Sequence, residues 1–111
     1  MSYCGRDFSP AEQAESLIYG LDFVIDLSED EVLTEAAWEI SVRHGVDPAP
    51  MSHLIGDPEL VVPGGATRQT ATTQRIAGLL PDVTYTVRAI VKTSAGNTYS
   101  LWSHVSGQPV E

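Results

Sequence analysis

The chain is predicted to fold as an all-β antiparallel sandwich, on three observations in its 111 residues. Apolar and polar residues alternate with period two in several stretches of strand length, and no stretch sustains a helical period. Clusters rich in Gly, Pro, Asn, Asp and Ser separate those stretches. The last two stretches flank Ser94-Ala95-Gly96-Asn97 as the arms of a hairpin. Five or six short strands spaced in this way fit a sandwich better than strands alternating with helices.

The elements are expected in the following order. Ser9-Pro10-Ala11-Glu12 carries an N-cap residue, a proline at the first helical position and a glutamate three residues after the cap, so one or two helical turns are expected there. From Leu17 the period is two, with Leu17, Tyr19, Leu21, Phe23, Ile25 and Leu27 on one side, until Ser28-Glu29-Asp30-Glu31 breaks the strand as a solvated loop. Ala36, Trp38, Ile40 and Val42 then alternate with Ala37, Glu39, Ser41 and Arg43, which places Trp38 and Ile40 in the core. Four prolines between Gly45 and Gly65 leave room only for a short edge strand near 60–62. Thr67 to Ile76 is rich in threonine and has almost no apolar residue before Ile76, the composition of a solvated outer strand.

The clearest alternation comes next. Tyr85, Val87, Ala89 and Val91 face one way and Thr84, Thr86, Arg88 and Lys92 the other. In the returning strand Tyr99, Leu101 and Val105 share the inward parity, so Trp102 and His104 lie on the opposite face. An outward tryptophan marks an interface, whereas a bulge would turn it into the core. Residues 1–16 precede the first regular strand and form an N-terminal arm with Tyr3 and Phe8 as apolar anchors, expected to order against a neighbouring chain. Residues 17–111 form the sandwich.

A 42% apolar and 19% charged composition suits a packed globular domain, and nothing approaches the apolar length of a membrane span. The polar N-terminus lacks a signal-peptide pattern, so synthesis in the cytoplasm is expected. A net charge of −9 disfavours nucleic acid. Residues 1–59 hold thirteen acids and two bases, the remainder two acids and four bases, an asymmetry that suits head-to-tail stacking if the two halves form opposite ends.

The chemistry-bearing residues are sparse. Cys4 is the single cysteine, with no partner for an intrachain disulfide. No phosphate loop, dinucleotide fingerprint, zinc-protease or serine-hydrolase signature is present, and neither a catalytic site nor a cofactor is expected. His44, His53 and His104 fall in different segments without paired ligand spacing, so no metal site is expected, even with Asp47 added.

Ile76-Ala77-Gly78-Leu79-Leu80-Pro81-Asp82-Val83-Thr84-Tyr85-Thr86-Val87 resembles the corner between the fifth and sixth strands of fibronectin type III and immunoglobulin-like domains. The resemblance implies that Leu79 plugs the core, Pro81 sets the turn and the Tyr85 hydroxyl reaches an upstream backbone group. Together with the alternation, it makes Phe23, Trp38, Ile40, Leu79, Pro81, Tyr85 and Val87 the expected structural core. Asp82 stands where that family usually has glycine. Most of the chain, with Pro10-Ala11-Glu12, the alternation through Phe23, Ala36-Ala37-Trp38-Glu39-Ile40, the threonine-rich strand and the Thr93-Ser94-Ala95-Gly96-Asn97 hairpin, resembles small tailed-bacteriophage virion proteins of the fibre-tail adaptor type. That likeness implies a non-enzymatic structural protein, made in the host cytoplasm, present in several copies in the virion and bound to tail, connector or fibre proteins. Its interface is expected to use Tyr3, Phe8, Tyr99, Trp102 and His104. A capsid-decoration protein or a carbohydrate-binding sandwich stacking Trp102, Tyr99 or Trp38 on sugar rings is the alternative.

Overall fold

Two sheets, one antiparallel and one antiparallel but for two short parallel strands, pack face to face in the computed structural model, which describes residues 2–4 and 7–108. Met1, Gly5, Arg6 and positions 109–111 of the expected arm and sandwich lie outside the described residues. In chain order the strands are β1 (Ser2–Tyr3), β2 (Ala11–Glu12), β3 (Ser16–Asp22), β4 (Leu33–His44), β5 (Leu54–Val61), β6 (Ala71–Ala77), β7 (Thr84–Thr93) and β8 (Thr98–Gln108), with one 3-10 turn at Pro50–His53. The larger sheet has the order β1-β8-β7-β4, with β2 also on β8, and the smaller has the order β3-β6-β5. Among the described residues no helix is long and apolar enough to cross a membrane.

The core follows from the alternation. Tyr19, Leu21 and Phe23 from the β3 side and Ile76 from β6 meet Trp38 and Ile40 from β4 and Tyr85, Val87, Ala89 and Val91 from β7, all buried. Leu79 is buried as well, but Pro81 is exposed at the turn and belongs to no core, because its ring shapes the chain where the corner faces water. Beyond Asp22 the first strand ends. Ile25, expected inside, is 94% exposed at a turn that Asp26 closes by donating its N–H to Phe23 O.

Three expectations are corrected, two of them by buried polar chemistry and one by a bulge. β6 is the central strand of its sheet rather than a solvated outer one, and Thr72 and Gln74 are buried. Their polar atoms are satisfied there: Trp38 Nε1 donates to Thr72 Oγ1 at 3.2 Å, Thr72 Oγ1 donates to Glu59 O at 2.8 Å, and Gln74 Nε2 donates to Ile55 O at 3.0 Å. β5 is longer than expected because a bulge between Ile55 and Glu59 absorbs Pro58 without ending the pairing. Glu31 is not part of a solvated loop. Its carboxylate is buried and accepts from the Thr93 hydroxyl, Asn97 Nδ2 and Ser28 N, stitching the β3–β4 loop to the β7–β8 hairpin.

The capping-box segment forms no helix. Ala11–Glu12 pairs with β8, and Glu15 closes a tight turn by accepting from Glu12 N through its side chain. The segment has no apolar stripe for a helix to bury, and short helices are unstable without one. The arm itself lies along its own sandwich. Tyr3 is the register partner of Trp102 and Ala11 of Gly107 in parallel pairing, and the N–H groups of Cys4 and Phe8 donate to Trp102 O and His104 O. The Phe8 ring stands edge-on to Tyr19, with centroids 4.8 Å apart. The arm's pairing thus runs to β8 of the same chain, where the expectation had a neighbouring one.

The sequence halves of unlike charge do not form opposite ends. β4, from the acidic half, pairs with β7, from the other, and Glu39–Arg88 and Glu35–Lys92 ion pairs join them. The acids that remain grouped are those of the β3–β4 loop.

Two backbone features hold the corner after β6. A Cβ on Gly107 would lie 1.8 Å from Leu80 O, so only glycine lets β8 run this close to the corner. Asp82 has φ +62°, the left-handed region that explains the glycine in the resembled family. Asp82→Ala is expected to lose about 1 kcal/mol, because alanine has no polar side chain to ease that conformation, while Asp82→Gly stays at or above wild type. Urea unfolding midpoints decide, and equal midpoints for the two variants would contradict the assignment.

Candidate interaction surface

The outward residues of the larger sheet form one continuous row across four strands. Tyr3 on β1 pairs with Trp102 on β8, Trp102 with Arg88 on β7, and Arg88 with Glu39 on β4. Because side chains alternate across a strand, all four stand on the same face, where directly opposed residues touch. The parity expected for β8 holds: Leu101, Ser103 and Val105 are buried, and Trp102 and His104 are half-buried on the outside.

The rings form a cluster. Tyr3 and Trp102 have centroids 4.7 Å apart with planes tilted by 46°, and Trp102 and His104 are 4.9 Å apart at 54°. Asp7 ties its rim together, accepting from the Tyr3 hydroxyl at 2.8 Å and lying 3.5 Å from His104 Nδ1. That hydrogen bond holds the Tyr3 hydroxyl above its ordinary value. On the other side Arg43 Nη1 lies 2.9 Å from Nδ1 and 2.7 Å from Nε2 of His104. Tyr3 remains 42% exposed.

Beside the rings is a hollow of about 510 Å³ lined by Glu39, Ile40, Ser41, Met51, Thr86 and Arg88. The Glu39–Arg88 pair forms its floor, and Met51 closes its rim by accepting the Ile40 N–H at the open edge of β4. The face thus combines amphipathic rings, two guanidinium groups and a concave apolar-rimmed patch.

Of the five expected interface residues, three meet here: Tyr3, Trp102 and His104. Phe8 turns away to cover Tyr19, and Tyr99, half-buried, packs against the core. Arg88, Glu39 and Arg43 were missed as members of the surface. Arg88 was legible, since the hairpin at Ser94–Asn97 fixes the register that sets it opposite Trp102.

A second polar cluster lies in the body. Asp47, with its side chain 5% exposed, accepts from the Tyr85 hydroxyl at 2.6 Å, from Ala49 N at 3.0 Å and from His53 Nε2 at 2.6 Å. His53 Nδ1 lies 3.0 Å from Ala77 O, so each ring nitrogen has an oxygen beside it. The Tyr85 hydroxyl accepts the Leu80 N–H at 3.1 Å, the upstream backbone bond that the resemblance implies. Tyr85 is fully buried and His53 8% exposed, and the cluster locks the β4–β5 connection onto the corner before β7. Among the described residues no three His, Cys, Asp or Glu side chains converge as metal ligands. Comparison with protein-family models, curated proteins and solved structures finds no match to the chain.

Proposed function

We propose that this chain is an immunoglobulin-like module that works by protein–protein contact, as a structural adaptor joining tail or fibre components of a tailed-bacteriophage virion. The observation that carries the contact role is the Tyr3–Trp102–Arg88–Glu39 row, since partly exposed tyrosine, tryptophan and arginine side chains on a rigid sheet are the residues that dominate interface energies. The strand order supports the immunoglobulin-like reading: β3-β6-β5 opposed to β8-β7-β4 corresponds to the B-E-D and G-F-C strands of constant-type domains, with a tyrosine corner before β7. The virion setting rests on the sequence resemblance alone. In this reading the arm belongs to the interface, because β1 supplies Tyr3.

Trp102→Ala is expected to fold normally and to bind its virion partner about 2 kcal/mol more weakly, roughly thirtyfold in affinity. Co-sedimentation with particles assembled without the chain measures this, and equal binding by wild type and variant would sink the proposal. The tilted Tyr3 and Trp102 rings also favour a second reading as a sugar-stacking surface. Binding of the purified chain to a glycan array, without co-sedimentation, would favour that reading.

A further inference from the structure

The outer face of the smaller sheet has a different character from the row on the larger one. Pairing sets Ile18, Arg75 and Ile55 in one row across β3, β6 and β5, and Gly20, Thr73 and Glu59 in the next. Ile18 is 62% and Ile55 46% exposed, an apolar pair standing on either side of a cation. The second row is a depression, since Gly20 has no side chain and its nearest neighbour is the Thr73 methyl. The bulge in β5 turns Asp57 toward the same hollow, which measures about 340 Å³. Arg75 donates to Ser16 O and Oγ, but among the described residues neither it nor Asp57 nor Glu59 makes an ion pair within the chain.

These features are complementary to themselves. A two-fold axis running across the strands between the two rows lays each row over the other row of a second copy. Ile18 then enters the gap over Gly20 of the second copy, Arg75 comes to lie over Thr73, beside Glu59 and Asp57 of the second copy, and Ile55 comes to lie over Glu59 of the second copy. Charges left unmatched in one chain are matched twice in the pair, as an isologous contact requires. The same axis makes the facing strands antiparallel, close to the aligned packing that sheets adopt face to face. It also sends the acidic β3–β4 loops of the two copies to opposite ends, which limits the self-repulsion of a chain with net charge −9.

We infer that the β3-β6-β5 face is a self-association surface on which two copies of this chain pair, through Ile18 seated over Gly20 and through Arg75 with Glu59 and Asp57 of the other copy. The surface is separate from the proposed adaptor face and does not depend on that role.

Size exclusion coupled to light scattering on the full chain is expected to give twice the 12.0 kDa chain mass across a dilution series. Ile18→Asp is expected to halve it. Arg75→Glu and Glu59→Arg are each expected to halve it as well, since each puts like charges together at both contacts. Mixing those two variants is expected to restore the doubled mass, because only the mixed pair has opposite charges at both contacts. Circular dichroism melting confirms that each variant is folded. Should Arg75→Glu lose the fold along with its Ser16 bonds, Ile18→Asp and Ile55→Asp carry the test. A monomer at every dilution, a dimer indifferent to Ile18→Asp, or folded charge variants that stay monomeric on mixing would overturn the inference. Partner binding by the same variants keeps this result distinct from the fate of the adaptor proposal.

Discussion

Asp47→Ala is expected to destabilise the fold by about 2–4 kcal/mol, the scale of leaving two buried hydrogen-bonding groups without their partner. The substitution leaves His53 Nε2 and the Tyr85 hydroxyl without their acceptor in a region closed to water. It also releases the β4–β5 connection, which Asp47 holds through Ala49 N. Denaturant midpoints measure the loss, and a loss below about 1 kcal/mol would mean that the cluster is not a lock. The same carboxyl shapes the acid limit of stability. The Tyr85 hydroxyl above all holds Asp47 below its ordinary value, and the Thr93 hydroxyl does the same for Glu31. A carboxyl lowered in the folded state contributes stability that is fully present above its unfolded value and lost as pH falls through the folded one. Stability is therefore expected to hold near neutral pH and decline below about pH 4, and Asp47→Ala to show a shallower decline that leaves the part due to Glu31. Tyr85 acts with the opposite sign. Burial, with the Asp47 bond second, pushes its hydroxyl up to about 12, so its contribution is complete below the unfolded value and lost as pH rises through the folded one.

Trp38→Ala is expected to lose about 3–5 kcal/mol, the range for emptying a large aromatic site in a core. Trp38 is 5% exposed and reaches from β4 to the facing sheet, where its indole N–H meets Thr72 in the centre of β6. Deleting it removes packing between the sheets and one of the two hydrogen bonds that make a buried threonine tolerable there. For a domain of this size such a loss consumes a large part of the total stability. A variant that unfolds at nearly the wild-type denaturant concentration would show that the ring is not the link between the sheets. Trp38→Phe, which keeps most of the volume and loses the N–H, is expected to fall between the two.

What the sequence made legible was whatever alternation alone decides. In β7 the inward set Tyr85, Val87, Ala89 and Val91 is buried as read, and the parity of β8 followed from the same rule. The failures share one physical cause, polar residues whose partners are far away in the chain. Thr72 and Gln74 look like solvent-facing residues until Trp38 and the carbonyls of Ile55 and Glu59 are placed around them. Glu31 looks like part of an acidic loop until Thr93 and Asn97 cover it. Asp47, His53 and Tyr85 were each noticed, the first two as ligands without spacing and the third as a hydroxyl seeking an upstream group. Nothing local to the chain says that these three meet. The arm failed for another reason: two-residue pairings such as β1 and β2 are too short to leave any periodicity.

The proposed adaptor role requires the outer face of the larger sheet to be covered when the chain is in its assembly. Hydroxyl-radical footprinting of the isolated chain and of the proposed virion particle tests this most directly, because Tyr3 and Trp102 are reactive rings on that face. The account predicts that Tyr3, 42% exposed in the single chain, is oxidised there together with Trp102, and that both are protected in the particle, while the exposed Met51 at the rim of the hollow is protected only in part. Equal oxidation of Tyr3 and Trp102 in the two states would contradict it.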